Sequence, residues 1–154
     1  MAQRTQEDVN IAVLNGPNLN MLGTREPALY GYETLDDVER GLRAAVSGLG
    51  VALRFTQHNG EGDLIDAIQA LHGLVHGVVI NAGAYSHTSL AVRDALVAIA
   101  VPFVEVHITN VYAREPERRH SMLAPAALGV VCGFGTYGYE LAVRGLVVAL
   151  AARE

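Results

Sequence analysis

The stretch Ile11-Ala-Val-Leu-Asn-Gly-Pro-Asn18 is a short apolar run that stops at residues favouring turns. The same order, an apolar run and then polar residues, recurs in Gly77-Val-Val-Ile-Asn-Ala-Gly83 and in Pro102-Phe-Val-Glu-Val-His107. Short apolar runs bounded by turn residues are typical of buried strands. Segments with apolar residues at helical spacing lie between them. This alternation predicts a parallel sheet with right-handed helical crossovers.

The whole chain offers five such strands and about five helices. The predicted strands are Ile11–Leu14, Val51–Thr56, Gly77–Ile80, Pro102–His107 and Gly129–Val131. Five parallel strands with this number of helices favour a flavodoxin-like three-layer α/β sandwich with the strand order 2-1-3-4-5. We predict one catalytic α/β domain over residues 9–154, after a polar N-terminal extension over residues 1–8.

Three features of the predicted helices are specific enough to test. Thr34 and Asp37 form a capping box at the start of the first helix. Ser86 or Thr88 is expected to cap the third helix. The last helix, Tyr137–Ala152, is apolar on nearly all sides, which predicts a well-buried position.

Composition limits the class of protein. The 154 residues are 51% hydrophobic and 18% charged, and the net charge is −5. The negative charge argues against nucleic acid as a partner, and no apolar segment is long enough for a membrane span or a signal peptide. The single cysteine, Cys132, fits a reducing compartment. We therefore expect a soluble cytoplasmic protein, with some apolar surface used in subunit contacts.

All eleven basic residues are arginines, and the chain has no lysine. A Schiff base on a carbonyl substrate needs a lysine amine, and a Walker phosphate loop needs its lysine. The sequence also gives no support for a metal site, because Cys132 has no partner cysteine. His72 and His76 are four residues apart but have no third ligand, and they are interpreted as helix-surface residues. The sequence predicts neither a metal nor another cofactor.

The unusual polar residues follow the strands. In open parallel sheets, ligands bind beyond the carboxyl ends of the strands, where Asn18, Asn81 and His107 are expected. Each asparagine alone could be an ordinary turn residue. Together with His107 they predict a site for acid–base chemistry on a small anion.

Glu105 and His107 are two residues apart on a strand, so their side chains leave the same face. A carboxylate beside an imidazole fixes its tautomer and favours its protonated form, which makes a general acid. The alternative is a structural ion pair. His87 is expected at a helix start, where the dipole disfavours an imidazolium, and is predicted to donate a hydrogen bond to a substrate hydroxyl.

The long loop after the first strand carries Arg25 and Tyr30, and such loops can act as lids. Arginines near a phenol favour its phenolate. We therefore expect Arg25, together with Arg114 from the loop after the fourth strand, to flank Tyr30 and make it a base. The alternative is a surface tyrosine. Arg114, Arg118 and Arg119 form a basic cluster suited to carboxylates, although a solvated charged turn would look the same.

Several motifs, in order, resemble the type II 3-dehydroquinate dehydratases. The resemblance covers about residues 9–152 and rests on the following motifs: Asn15-Gly-Pro-Asn-Leu-Asn-Met-Leu-Gly-x-Arg25-Glu-Pro27 with Tyr30-Gly31, Asn81-Ala-Gly-Ala-Tyr-Ser-His-Thr-Ser89, Val104-Glu-Val-His-Ile-Thr-Asn-Val111, Ala113-Arg-Glu-Pro116, and Gly133-Phe-Gly-x-x-Gly-Tyr-Glu-Leu141. It implies the reversible dehydration of 3-dehydroquinate to 3-dehydroshikimate, by anti elimination through an enolate, without metal or Schiff base. The absence of lysine agrees with that route.

The resemblance also implies residue roles. Tyr30 would be the base, supported by Arg25 and Arg114, and His107 the acid, oriented by Glu105. Asn18 would stabilise the enolate, through an ordered water. The residues expected to bind substrate are Asn81, His87, Asp94, Ile108, Thr109, Arg114 and Arg118. The family's homododecamers, tetramers of trimers, imply the same assembly here, with Asp94 reaching a neighbour's site.

This sequence departs from the family pattern at three positions. His58 stands where serine is expected, Thr109 replaces a commoner serine, and Tyr137 replaces a frequent glutamine. None removes a proposed catalytic group, so we expect effects on packing or affinity only.

Three other readings remain. A receiver domain needs clustered acidic residues where this chain has asparagines, and a flavin binder needs a phosphate loop rich in Ser and Thr after the first strand. A structural shell protein would need none of Tyr30, Arg25 and His107. Turnover of dehydroquinate would separate all three from an enzyme.

Overall fold

A computed structural model describes residues 8–154, so the predicted N-terminal extension falls outside the described residues except for Asp8. The strands are β1 (Val9–Asn15), β2 (Val51–Gln57), β3 (Gly77–Asn81), β4 (Phe103–His107) and β5 (Gly129–Cys132). The α-helices are α1 (Pro27–Tyr30), α2 (Leu35–Val46), α3 (Glu61–Gln69), α4 (Tyr85–Thr88), α5 (Leu90–Ala98) and α6 (Tyr137–Ala151). All pairings are parallel and the order is β2-β1-β3-β4-β5, as predicted.

The strand alternation sends side chains into two separate cores. Ile11 and Val13 face a core formed with α2 and α6, whereas Ala12 and Leu14 face one formed with α3 and α5. Both faces of the central strands are therefore buried, which explains why the sequence of β3 is apolar up to its last residue, Asn81. The result is the predicted three-layer flavodoxin-like sandwich.

The carboxyl ends of β1 and β3 are brought together by register and by a glycine. Asn15 lies opposite Asn81 in the sheet, and the Gly16 amide donates to the Asn81 carbonyl over 2.7 Å. A Cβ atom at residue 16 would lie 2.3 Å from the Ala82 carbonyl oxygen, so only glycine allows the loop to leave β1 so close to β3.

Two predicted helix starts have different outcomes. The capping box at Thr34 is confirmed, because the Asp37 amide donates to the Thr34 hydroxyl and the Thr34 amide to the Asp37 carboxylate. The predicted cap by Ser86 or Thr88 is wrong. Both residues belong to the short helix α4, and Ser89 caps α5 by accepting from the Val92 amide.

Helix α6 is less buried than its composition predicted. One face, including Tyr139, Val143 and Leu146, packs into the core, but Val148 is 71% exposed in the single chain. An apolar helix shows its total hydrophobicity in sequence, whereas only packing decides which face is covered. Among residues 8–154, the search for an apolar helix of bilayer-spanning length found none.

Candidate active site

A cleft of about 140 Å³ opens at the carboxyl edge of the sheet. It is formed by the loops after β1, β3 and β4, as predicted from the positions of the polar residues. Ten of the twelve expected site residues line it: Asn18, Arg25, Tyr30, Asn81, His87, His107, Ile108, Thr109, Arg114 and Arg118. No aspartate or glutamate of the described chain is among the lining residues. Three guanidinium groups therefore line a small cavity whose wall holds no carboxylate, which suits an anion. Their ion-pair partners, Glu26 and Glu115, lie outside that wall with exposed side chains.

Tyr30 ends the four-residue helix α1 within the loop after β1. The Arg114 guanidinium donates a hydrogen bond to its phenolic oxygen over 2.8 Å. The guanidinium carbons of Arg25 and Arg114 lie 4.9 Å and 5.4 Å from the centre of the ring. Positive charge therefore lies against both the phenolic oxygen and the ring of Tyr30.

Arg114 is held by the neighbouring loop as well. Its side chain is only 13% exposed, and it donates to the Thr109 hydroxyl over 3.4 Å. Thr109 thus keeps the hydroxyl contact expected of the commoner serine. A guanidinium fixed in this way can hold the phenol in one orientation without contributing a proton of its own.

Asn18 stands at the cleft because its backbone is fixed in the left-handed region, with φ of 68°. The backbone amide of Asn18 donates to the Asn59 side-chain oxygen over 3.0 Å, and the same oxygen accepts from the Gln57 side chain over 2.9 Å. The sequence interpretation missed Gln57 and Asn59 as supports. Gln57 is the last residue of β2 and Asn59 lies two residues beyond it, and this position at a strand end, like that of the other polar residues, was the available signal.

Glu105 and His107 share one face of β4, as predicted, and are 0% and 7% exposed. The distance between His107 Nε2 and Glu105 Oε1 is 2.8 Å. Because an ionised carboxylate only accepts, Nε2 carries the proton of this hydrogen bond. The imidazole is therefore fixed, and Nδ1 is left free to exchange a proton with the cleft.

Ser121 was missed by the sequence interpretation. Its hydroxyl donates to the same oxygen of Glu105 over 2.6 Å. The residue lies sixteen positions along the chain from Glu105, in a loop without regular spacing relative to β4, so no sequence pattern indicated the contact.

His87 differs from its prediction in two respects. It lies in the last turn of α4 rather than at a helix start, and its Nδ1 donates to the His120 carbonyl over 2.8 Å. A neutral ring then offers Nε2 as an acceptor, so the predicted role as a hydrogen-bond donor is wrong. Burial lowers the pKa of His87, and the neighbouring charges of His107 and Arg118 act in the same direction.

The two cleft histidines also interact directly. The rings of His87 and His107 are stacked with centroids 5.8 Å apart. Two imidazolium ions at this separation would repel each other. The stacking therefore disfavours a charge on His87, in agreement with the lowered pKa of that ring.

Asn81 is oriented by a buried network that the sequence did not predict. Its side-chain amide donates to the Tyr139 hydroxyl over 3.0 Å, and that hydroxyl donates to the Asn15 side-chain oxygen over 2.6 Å. Burial raises the pKa of Tyr139, so its hydroxyl stays protonated. The Gly83 backbone amide donates to the Asn81 side-chain oxygen, and this contact distinguishes the oxygen of the side-chain amide from its nitrogen.

Four predicted residues lie away from the cleft. Asp94 is exposed on α5, and Arg119 is exposed and donates to the Arg114 carbonyl. His72 and His76 are exposed as expected, but they follow the end of α3 rather than lying on it. A search of the described residues finds no group of three His, Cys, Asp or Glu side chains arranged as metal ligands.

The fold and the cleft together define a flavodoxin-like α/β protein with a cleft lined by arginine, histidine, tyrosine and asparagine side chains at the carboxyl edge of its sheet. Comparison with known proteins makes this class more specific. The family model described as dehydroquinase class II matches residues 9–147.

Individual relatives agree with that match. A 3-dehydroquinate dehydratase of Gemmatimonas aurantiaca is 61% identical, covering 94% of this chain and 95% of that protein. A catabolic 3-dehydroquinase of Aspergillus oryzae is 52% identical, with coverage of 94% and 95%. The crystal structure of the type II dehydroquinase from Propionibacterium acnes has a TM-score of 0.86 and 41% identity, covering 90% of this chain and 96% of that one. The chain belongs to the class II dehydroquinase family and is an enzyme of the hydro-lyase class.

Proposed function

We propose that this enzyme dehydrates 3-dehydroquinate to 3-dehydroshikimate, with Tyr30 as the base and His107 as the acid. The observation that carries the proposal is the meeting of these two groups in one cationic cleft. The names of the relatives support the substrate, and the guanidinium-lined wall supports its carboxylate.

The first step removes a proton. The Tyr30 phenolate, stabilised by Arg114 and Arg25, takes the proton next to the ketone of the substrate. The electron pair left behind moves onto the ketone oxygen and gives an enolate. Asn18, fixed at the edge of the cleft, would stabilise the enolate oxygen through a water molecule.

The second step expels water. The protonated His107 ring gives its Nδ1 proton to the departing hydroxyl while Nε2 stays bonded to Glu105. The enolate collapses as the carbon–oxygen bond breaks, and the product is a conjugated enone. Glu105 holds the ring in place through this exchange.

The remaining lining residues would bind the substrate. Asn81 and Arg118 can donate to its hydroxyls, and His87 can accept from one through Nε2. The backbone amides of Ile108 and Thr109, with the Thr109 hydroxyl, would take the carboxylate. These assignments carry the family roles onto side chains that line this cleft.

The assembly is also a proposal. We infer a homododecamer of four trimers in the cytoplasm, in which the exposed Asp94 reaches the cleft of a neighbouring subunit. Support comes from the exposed apolar side chains of the single chain, among them Leu90 and Val97 on α5 and Val148 on α6. Analytical ultracentrifugation would contradict the proposal if the protein sedimented as a monomer at micromolar concentration.

The decisive experiment follows the conjugated enone by its absorbance, in wild type and Tyr30→Phe. Wild type should turn over 3-dehydroquinate in the presence of chelators and of borohydride. Tyr30→Phe should lose about 10³-fold in kcat, within the ~10²–10⁴-fold typical of a positioned general base. Its melting temperature should be unchanged, since only the phenolic hydroxyl is removed.

Two outcomes would contradict this assignment. Near-normal turnover by Tyr30→Phe would show that another group is the base. Absence of turnover in folded, assembled wild type would reject the reaction itself.

A further inference from the structure

Glu105 is a buried carboxylate that receives both of its hydrogen bonds on one oxygen. Oε1 accepts from His107 Nε2 over 2.8 Å and from the Ser121 hydroxyl over 2.6 Å. Oε2 has no hydrogen-bond partner within residues 8–154. The ionised form of Glu105 is therefore stabilised through Oε1 alone, where Ser121 supplies one of two donors.

The proton of Ser121 is directed at Glu105 by the surrounding backbone. The hydroxyl oxygen accepts from the amides of Leu123 and Ala124 over 3.1 and 3.0 Å. A serine hydroxyl has one proton and two lone pairs. With both lone pairs used by amides, the proton has the carboxylate as its partner, and the amides polarise the hydroxyl towards stronger donation.

The residue before Ser121 acts on the other cleft histidine. The His120 carbonyl accepts from His87 Nδ1 over 2.8 Å. Two consecutive residues thus help to orient the two imidazoles: His120 accepts from His87, and Ser121 donates to Glu105, which accepts from His107. Ser121 is nevertheless not among the residues lining the cleft. This segment is a support behind the site and not part of its wall.

We propose that Ser121 is a positioning residue that holds the Glu105 carboxylate so that Oε1 stays in hydrogen-bond contact with His107 Nε2. Without the Ser121 hydroxyl, His107 is the only donor to Glu105, and the carboxylate can turn away from His107 Nε2. The imidazole then loses its fixed orientation, and Nδ1 faces the leaving hydroxyl less often. The inference rests on the proposed function for its kinetic consequence only.

The kinetic test compares Ser121→Ala with Ser121→Thr, which retains a hydroxyl. Ser121→Ala should lower kcat about tenfold, the loss expected for one hydrogen bond to a charged group. KM should stay unchanged because Ser121 does not line the cleft, and Ser121→Thr should retain most of the activity. An unchanged kcat in Ser121→Ala would overturn the proposal.

Ser121 also accepts from the Leu123 and Ala124 backbone amides, and this structural role must be separated from its effect on Glu105. In the Glu105→Gln background, Ser121→Ala should lower kcat less than twofold further, because its target is already altered. Ser89→Ala is a matched control, since Ser89 also caps a helix start, at the Val92 amide. It should lower the melting temperature without lowering kcat. Equal kcat losses in Ser89→Ala and Ser121→Ala, or a full tenfold loss in the Glu105→Gln background, would overturn the proposal.

A readout independent of turnover keeps the two proposals distinguishable. The ¹⁵N spectrum of His107 reports which ring nitrogen carries the proton. In Ser121→Ala its two nitrogen signals should move towards each other as the fixed tautomer is lost. Unchanged signals would reject the role of Ser121 even if wild type is an active dehydratase, whereas an inactive wild type with shifted signals would reject only the reaction.

Discussion

The loop after β1 and the end of β4 supply the two halves of the site, and they differ in how deeply they are buried. Helix α1, which carries Tyr30, has no buried residue, and its neighbour Tyr32 is 82% exposed. All five residues of β4 are buried. The proposed base is therefore held by charged side chains and by the edge of one core, whereas the proposed acid is held by strand register and full burial. A substitution in the loop should therefore lower the rate alone, whereas a substitution in β4 should lower both the rate and the stability.

Removal of the Glu105 side chain should have the largest combined effect. Glu105→Ala leaves His107 Nε2 and the Ser121 hydroxyl without their shared buried acceptor. We expect the free energy of unfolding to fall by about 3 kcal/mol, the order found when one partner of a buried pair is lost. Since the acid loses its orientation, kcat should fall roughly 10²-fold. Urea unfolding and the enone assay measure the two losses, and an unchanged stability would remove the contrast between strand and loop.

A matched change in the loop should affect rate alone. Arg25→Ala removes the guanidinium 4.9 Å from the ring of Tyr30. We expect kcat to fall about tenfold, the equivalent of a cation–π contact worth about 1.4 kcal/mol. The free energy of unfolding should stay within about 0.5 kcal/mol of wild type, as is usual for surface positions. A loss of stability as large as that of Glu105→Ala would show that the loop is part of the folding core.

The smallest expected effect concerns pH. Burial lowers the pKa of His87 below its ordinary value of 6.5, so the unfolded chain binds this proton more tightly than the folded one. The resulting stability is present above pH 6.5 and is lost as the pH falls from there towards the lowered value. His87→Gln should therefore lose less stability than wild type between pH 7.5 and 5.5 in urea titrations. Parallel curves for the two proteins would contradict the assignment.

The parts of the site that sequence analysis found share a local signal. Glu105 and His107 are two residues apart on one strand. Asn81 ends β3 and Asn18 lies three residues after β1, so these positions follow from strand geometry and parallel topology. The supports were missed because they come from elsewhere in the chain. Ser121 lies in irregular backbone, and Tyr139 reaches Asn15 across 124 residues of sequence. Hydrogen bonds between residues far apart in the chain produce no periodic pattern in the sequence.

By itself, the sequence determined the sheet, its order, the cleft edge and most of the residues that line it, because strand period, turn residues and parallel connections act locally. Only the tertiary structure decided where helix α5 is capped, which face of α6 is covered, and which nitrogen of His87 carries a proton. Those outcomes depend on which groups meet after packing, such as the His120 carbonyl 2.8 Å from His87. Burial and hydrogen-bond partners are properties of the folded chain, so the protonation states they set become readable only there.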